Sequence, residues 1–120
     1  MAGLNDLRTY GALLRGPTEA DFQAQVTELA ELLGWEWVHF RPAQTSKGWR
    51  TPVSGSLGKG WPDLLLTRTK DARVIAAELK REGAKPTIEQ TRVLGILAYC
   101  GIETHVWRPA DWDEIVKVLA

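Results

Sequence analysis

Cysteine is nearly absent from this chain: Cys100 stands alone among 120 residues. A single thiol excludes an internal disulfide and a cysteine-based zinc cluster, and it points to a reducing, cytoplasmic setting. Long apolar runs are missing as well, so no stretch is expected to span a bilayer. The opening MAGLNDLRTYGALLRG carries Asp6 and no continuous apolar stretch, unlike a signal peptide. An excess of one charge is also lacking. Fifteen basic and fifteen acidic residues cancel, which argues against a protein that coats nucleic acid indiscriminately. There is no repeat, low-complexity tract or linker. Without a glycine-rich phosphate cradle or a Ser-His-Asp arrangement, P-loop hydrolysis and acyl transfer are not expected. His39 and His105 have no metal-ligand partner at a recognisable spacing, which favours structural or surface roles for both.

What is present reads as one folded unit. Hydrophobic residues at 44% and charged residues at 25% exclude disorder, and the length suffices for a single core. Residues 1–17 form a leader and residues 18–120 the domain. Thr18 is placed to cap a helix, with Glu19 and Asp21 favourable in its first turn. Phe22, Val26, Leu29 and Leu33 follow at helical spacing, and Gly34 ends the run. Strands are expected over 35–40, 62–67, 73–80 and 103–107. Thr87-Ile88-Glu89-Gln90 fits a capping box for a second helix that Gly101 terminates. A short helix through Ile115, Val118 and Leu119 closes the chain. The order αβββαβ plus a C-terminal helix implies an α/β fold with a mixed sheet flanked by helices.

Between Glu36 and Asp63 there is no acid, while Arg41, Lys47, Arg50 and Lys59 all fall there. The same stretch contains Pro42, Gly48, Pro52, Gly55, Gly58 and Gly60, so it is not expected to stay regular for long. A loop of this length in so small a domain is often functional. Two readings are open: a solvated loop with a chance excess of charge, or a local positive surface.

The strand over 73–80 carries the chemistry. Alternation puts Val74, Ala76, Glu78 and Lys80 on one face and Ile75, Ala77 and Leu79 on the other. Glu78 and Lys80 therefore project together from an apolar strand, where an ionised carboxylate is costly unless compensated. Lys80 alone could do that as a structural ion pair. If the turn centres between Lys70 and Asp71, paired residues sum to 141 and Asp63 faces Glu78. Opposed β-carbons lie roughly 4.5–5.5 Å apart, and like charges there repel. A divalent cation between the two acids is the simplest remedy.

These residues resemble a known family. Gly60-Trp61-Pro62-Asp63, with Glu78-Leu79-Lys80 beginning fifteen residues after the aspartate, looks like the PD-(D/E)XK nuclease signature, and the element order is similar to that superfamily's restriction-endonuclease-like core. Together with Glu19-x-x-x-Gln23 and Gln90, the pattern resembles the VRR-NUC branch, the virus-type replication-repair nucleases. The resemblance runs from about Thr18 to the C-terminus. It implies a Mg²⁺- or Mn²⁺-dependent DNA endonuclease, acting as a homodimer on branched DNA such as Holliday junctions or flaps, in phage or bacterial replication, recombination or repair. Asp63, Glu78 and the Leu79 carbonyl would be metal ligands, joined by Glu19 directly or through water. Lys80 would position the attacking water, and Gln90 would orient Lys80 or the scissile phosphate. Gln23 either supports the site or is a polar surface residue. Arg41, Lys47, Arg50, Thr51 and Lys59 would grip the DNA backbone, with Arg50 and Thr51 foremost. Trp35, Trp37, Trp107 and Trp112 are expected in the core or an interface; Trp49 and Trp61 either flank DNA or, for Trp61, pack under the turn. Cleavage of linear duplex or single strands, and a noncatalytic DNA-binding subunit with the same fold, are the alternatives.

Overall fold

The computed structural model describes residues 18–40, 43–46, 48–50 and 53–120, with the side chains of 43–45 and 48–50 outside that description. Helix α1 (Glu19–Leu32) starts where the cap places it, the Thr18 hydroxyl accepting from the Asp21 amide at 3.1 Å. It stops before Gly34, whose φ of +86° suits a residue without a β-carbon. Phe22, Val26 and Ala30 turn its buried face to the sheet.

Four strands form that sheet in the order β1 (Glu36–His39), β4 (Leu64–Arg68), β5 (Arg73–Leu79), β6 (Glu103–Trp107). β1 and β5 run antiparallel to β4, and β6 runs parallel to β5, so the sheet is mixed. The turn from β4 to β5 is a 3-10 turn over Thr69–Asp71 closed by Ala72 in the left-handed region. Its register pairs Leu64 with Ala77 and Leu65 with Ala76, the pairing the sum of 141 requires.

β5 is central and buried on both faces from Ile75 to Leu79, as expected for a strand flanked by neighbours and covered by helices. On one side Ile75, Ala77 and Leu79 join Phe22, Val26, Leu64, Leu66, Trp107, Ile115 and Leu119 in the core. On the other, α2 (Ile88–Tyr99) packs through Val93 and Leu94 over β5 and β6. The parallel return from β5 through α2 to β6 is the βαβ crossover that parallel strands need. Helix α3 (Trp112–Leu119) closes the α1 side.

Trp35 and Trp107 are buried in the core, with Trp37 and Trp112 packed against it. The Arg68 guanidinium lies 4.5 Å from the Trp35 ring centre, bonds Asp71 in a two-pronged pair, and donates to the carbonyls of Leu33, Leu119 and Ala120. One arginine thus caps the last turn of α3 and the end of α1.

The glycine-rich stretch is more regular than its composition indicates. It contains a separate antiparallel hairpin of β2 (Ala43–Thr45) and β3 (Gly48–Arg50), with Gln44 opposite Trp49. The two strands are close enough in sequence for a tight connection, and a short ladder forms. Among the described residues no helix is long and apolar enough to cross a membrane.

Candidate active site

Asp63 immediately precedes β4, whose first residue Leu64 pairs with Ala77, the neighbour of Glu78. Asp63 Oδ2 accepts a hydrogen bond from the Leu79 amide at 3.0 Å, and the Asp63 carbonyl accepts from the Phe40 amide at 2.9 Å. The aspartate is therefore pinned between two neighbouring strands. Glu78 is fully buried, at 0% exposure. Its Oε1 meets Lys80 Nζ at 3.3 Å and Gln90 Nε2 at 2.9 Å. Its Oε2 is buried without a hydrogen-bond partner. Desolvation pushes the Glu78 carboxyl up to about 8, helped by contact with the Asp63 carboxylate and its charge and opposed by Lys80.

Gln90 does two jobs at once. Its Oε1 accepts from the Thr87 amide at 2.8 Å while the Thr87 hydroxyl accepts from the Gln90 amide at 3.1 Å, completing the capping box. That leaves Nε2 to donate to Glu78. The side chain holds Glu78 rather than Lys80, and the cap fixes which end of the amide faces the acid.

Gly60 explains how helix and turn stay in register. With φ at +102°, a β-carbon there would sit 2.4 Å from the Glu89 carbonyl carbon and oxygen and 2.8 Å from the Gln90 nitrogen. The turn leading to Asp63 thus lies directly on the backbone that carries Gln90, and only glycine permits that approach. Lys59 adds an ion pair to Glu89 at 3.3 Å, but it is exposed and contributes little by itself.

The remaining expected site residues divide. Glu19 is exposed at the start of α1. Among the described residues no three His, Cys, Asp or Glu side chains gather around one point, so Glu19 is not assembled with the acid pair. Gln23 is buried on α1, not a surface residue. Lys59 lies at the surface beside the turn. Arg41, Lys47 and Thr51 lie outside the described residues, and Arg50 is placed only as backbone in β3.

Motif spacing does not reveal a concavity of about 520 Å³ beside Asp63, walled by Phe40 and Trp61 with Val53, Leu57 and the Ser54 and Ser56 hydroxyls. The two aromatic rings meet edge to face, 5.8 Å between centres at 86°. The only local signal was the tryptophan inside the Gly-x-Pro-Asp turn.

No family model, curated protein or solved structure matches this chain.

Proposed function

We propose that this protein is a metal-dependent DNA endonuclease built on a PD-(D/E)XK-like core. The observation that carries the reading is Glu78: a fully buried carboxyl in contact with Asp63, with Lys80 and Gln90 both on one oxygen and no hydrogen-bond donor on the other. A buried orphan oxygen next to a second carboxylate is a poor device for stability, since each unsatisfied acceptor costs free energy. It suits a cation that takes oxygen ligands. Mg²⁺ binds through one or two carboxylates and completes its shell with water and phosphate oxygens, so the two acids fit without a third. Asp63 and Glu78, with the Leu79 carbonyl, would hold the ion.

Bound Mg²⁺ or Mn²⁺ supplies Lewis acidity and a more acidic water at this point. The chain's own groups do the rest. Lys80 stands beside the acids, where it would offset the phosphate's charge and orient the attacking water. Gln90 fixes the Glu78 rotamer. The Leu79 amide holds Asp63 through one carboxylate oxygen, and the other would be available to the ion. Branched DNA as substrate and homodimeric action rest on the motif resemblance.

Labelled four-way, flap, linear duplex and single-stranded DNA, incubated with Mg²⁺ or Mn²⁺, test the reading. Metal-dependent cleavage is expected, falling about 10²–10³-fold in Asp63→Asn and in Lys80→Ala, the scale of a lost electrostatic catalytic group. Cleavage undiminished in Asp63→Asn, or absent on every substrate, refutes it. The grip of Lys80 and Gln90 on Glu78 also suits a structural knot in a noncatalytic DNA-binding subunit; metal-independent binding without cleavage would assign that role.

A further inference from the structure

The described walls of the concavity near Asp63 suit a flat heterocycle. Phe40 and Trp61 offer aromatic surface, Val53 and Leu57 close the apolar sides, and Ser54 and Ser56 bring hydroxyls. Among the described residues, no lysine, arginine or carboxylate lines it. At about 520 Å³ it falls in the range of small-molecule sites, roughly 300–1,000 Å³, and holds a nucleoside with room to spare.

Two of its walls, Phe40 and Trp61, adjoin Asp63. Trp61 lies two residues before Asp63, so their Cα atoms are at most ~7.6 Å apart, and Phe40 donates its amide to the Asp63 carbonyl. Gly58 shapes the floor, where a β-carbon would meet the Ser54 carbonyl carbon at 2.9 Å. The loop is therefore folded back tightly enough to keep a hollow rather than fill it. A strand whose phosphate reaches Asp63 and Glu78 has its neighbouring base within reach of the two rings.

The geometry points to a nucleobase pocket: the site accepts one unstacked base of the substrate strand, adjacent to the phosphate being cut. This rests on the nuclease reading and adds its substrate requirement, a nucleotide that is unpaired or easily turned out of the helix. Aromatic stacking tolerates every base, and serine hydroxyls rotate to donate or accept. Recognition is therefore of an extruded base, not of sequence. Extrusion costs least at mismatches, junctions and single strands.

Binding to a short single strand carrying 2-aminopurine, and to the same strand with an abasic tetrahydrofuran at that position, is measured in Ca²⁺ by fluorescence and anisotropy. The base-bearing strand is expected to bind about tenfold tighter than the abasic one, the scale of one stacked base, with 2-aminopurine emission quenched by contact with the rings. Leu57→Trp, which fills the hollow from a half-exposed position, should erase the difference. The wild-type comparison stands by itself if that variant does not fold. Equal affinity for both strands, unchanged emission, or no binding overturns the pocket. Discrimination without cleavage in Mg²⁺ keeps the pocket and removes the nuclease reading; cleavage that ignores base and abasic alike does the reverse.

Discussion

Replacing Glu78 by glutamine should make the protein more stable in alkali and leave it unchanged in acid. The Glu78 carboxyl sits at about 8 in the folded protein against an ordinary 4.5. Between those values the folded state holds a proton that the unfolded state has released. Unfolding therefore releases a proton, and stability falls as pH rises. The contribution is fully present below about 4.5 and gone above about 8. At roughly 1.4 kcal/mol for each pH unit, the whole window amounts to about 5 kcal/mol at most. Glu78→Gln keeps the shape and has no proton to lose, so its stability should lack this slope. Urea unfolding followed by tryptophan fluorescence, from about pH 5 to about pH 9, measures both curves. They should coincide near pH 5 and separate steadily, with the variant higher. Parallel curves would show that Glu78 ionises freely in the folded state, and the argument from its burial would fail. Mg²⁺ supplies a second check, because it binds the deprotonated acid. It should stabilise the wild type more near pH 8 than near pH 6.

Asp63→Asn removes one cause of the raised Glu78 value, so the alkaline end of the wild-type slope should move to lower pH in the same titration. Gly60→Ala meets the Glu89 backbone at 2.4 Å in addition to its positive φ, whereas Gly55→Ala at φ +98° meets nothing within 4 Å. Gly55→Ala should cost about 1–2 kcal/mol of backbone strain and Gly60→Ala clearly more, with cleavage lost; equal costs by urea denaturation would deny the close contact. Gln90→Glu keeps the capping acceptor but sets a third carboxylate against Glu78, so the pH at which cleavage rises should shift upward while helix content by circular dichroism holds. Gln90→Ala should lose the cap as well, about 1 kcal/mol. Arg68→Met removes the guanidinium that joins the Leu33, Leu119 and Ala120 carbonyls, so melting should fall well below that of the wild type; an unchanged melting temperature would show the cap is idle.

Local periodicity and turn chemistry determined much of this protein before any coordinates. Thr18 and Gly34 bound α1, Thr87 and Gln90 open α2, and the turn at Lys70 and Asp71 sets Leu64 opposite Ala77, next to Asp63 and Glu78. Such features depend on residues close in sequence, whose hydrogen bonds and side-chain direction follow from the backbone itself. The β2–β3 hairpin escaped because glycine and proline report breakage more clearly than a three-residue ladder reports pairing.

Only the tertiary structure decided how isolated the site's acid is. Alternation places Glu78 on a face, but the burial that raises its carboxyl comes from β4, β6 and α2 closing around β5. The same packing lays Gly60 on Gln90, turns the spare end of a helix cap toward Glu78, and leaves the hollow between Phe40 and Trp61. Each of these joins residues twelve or more positions apart. Their contacts are set by which surfaces exclude water from one another, and no short stretch of sequence carries that information.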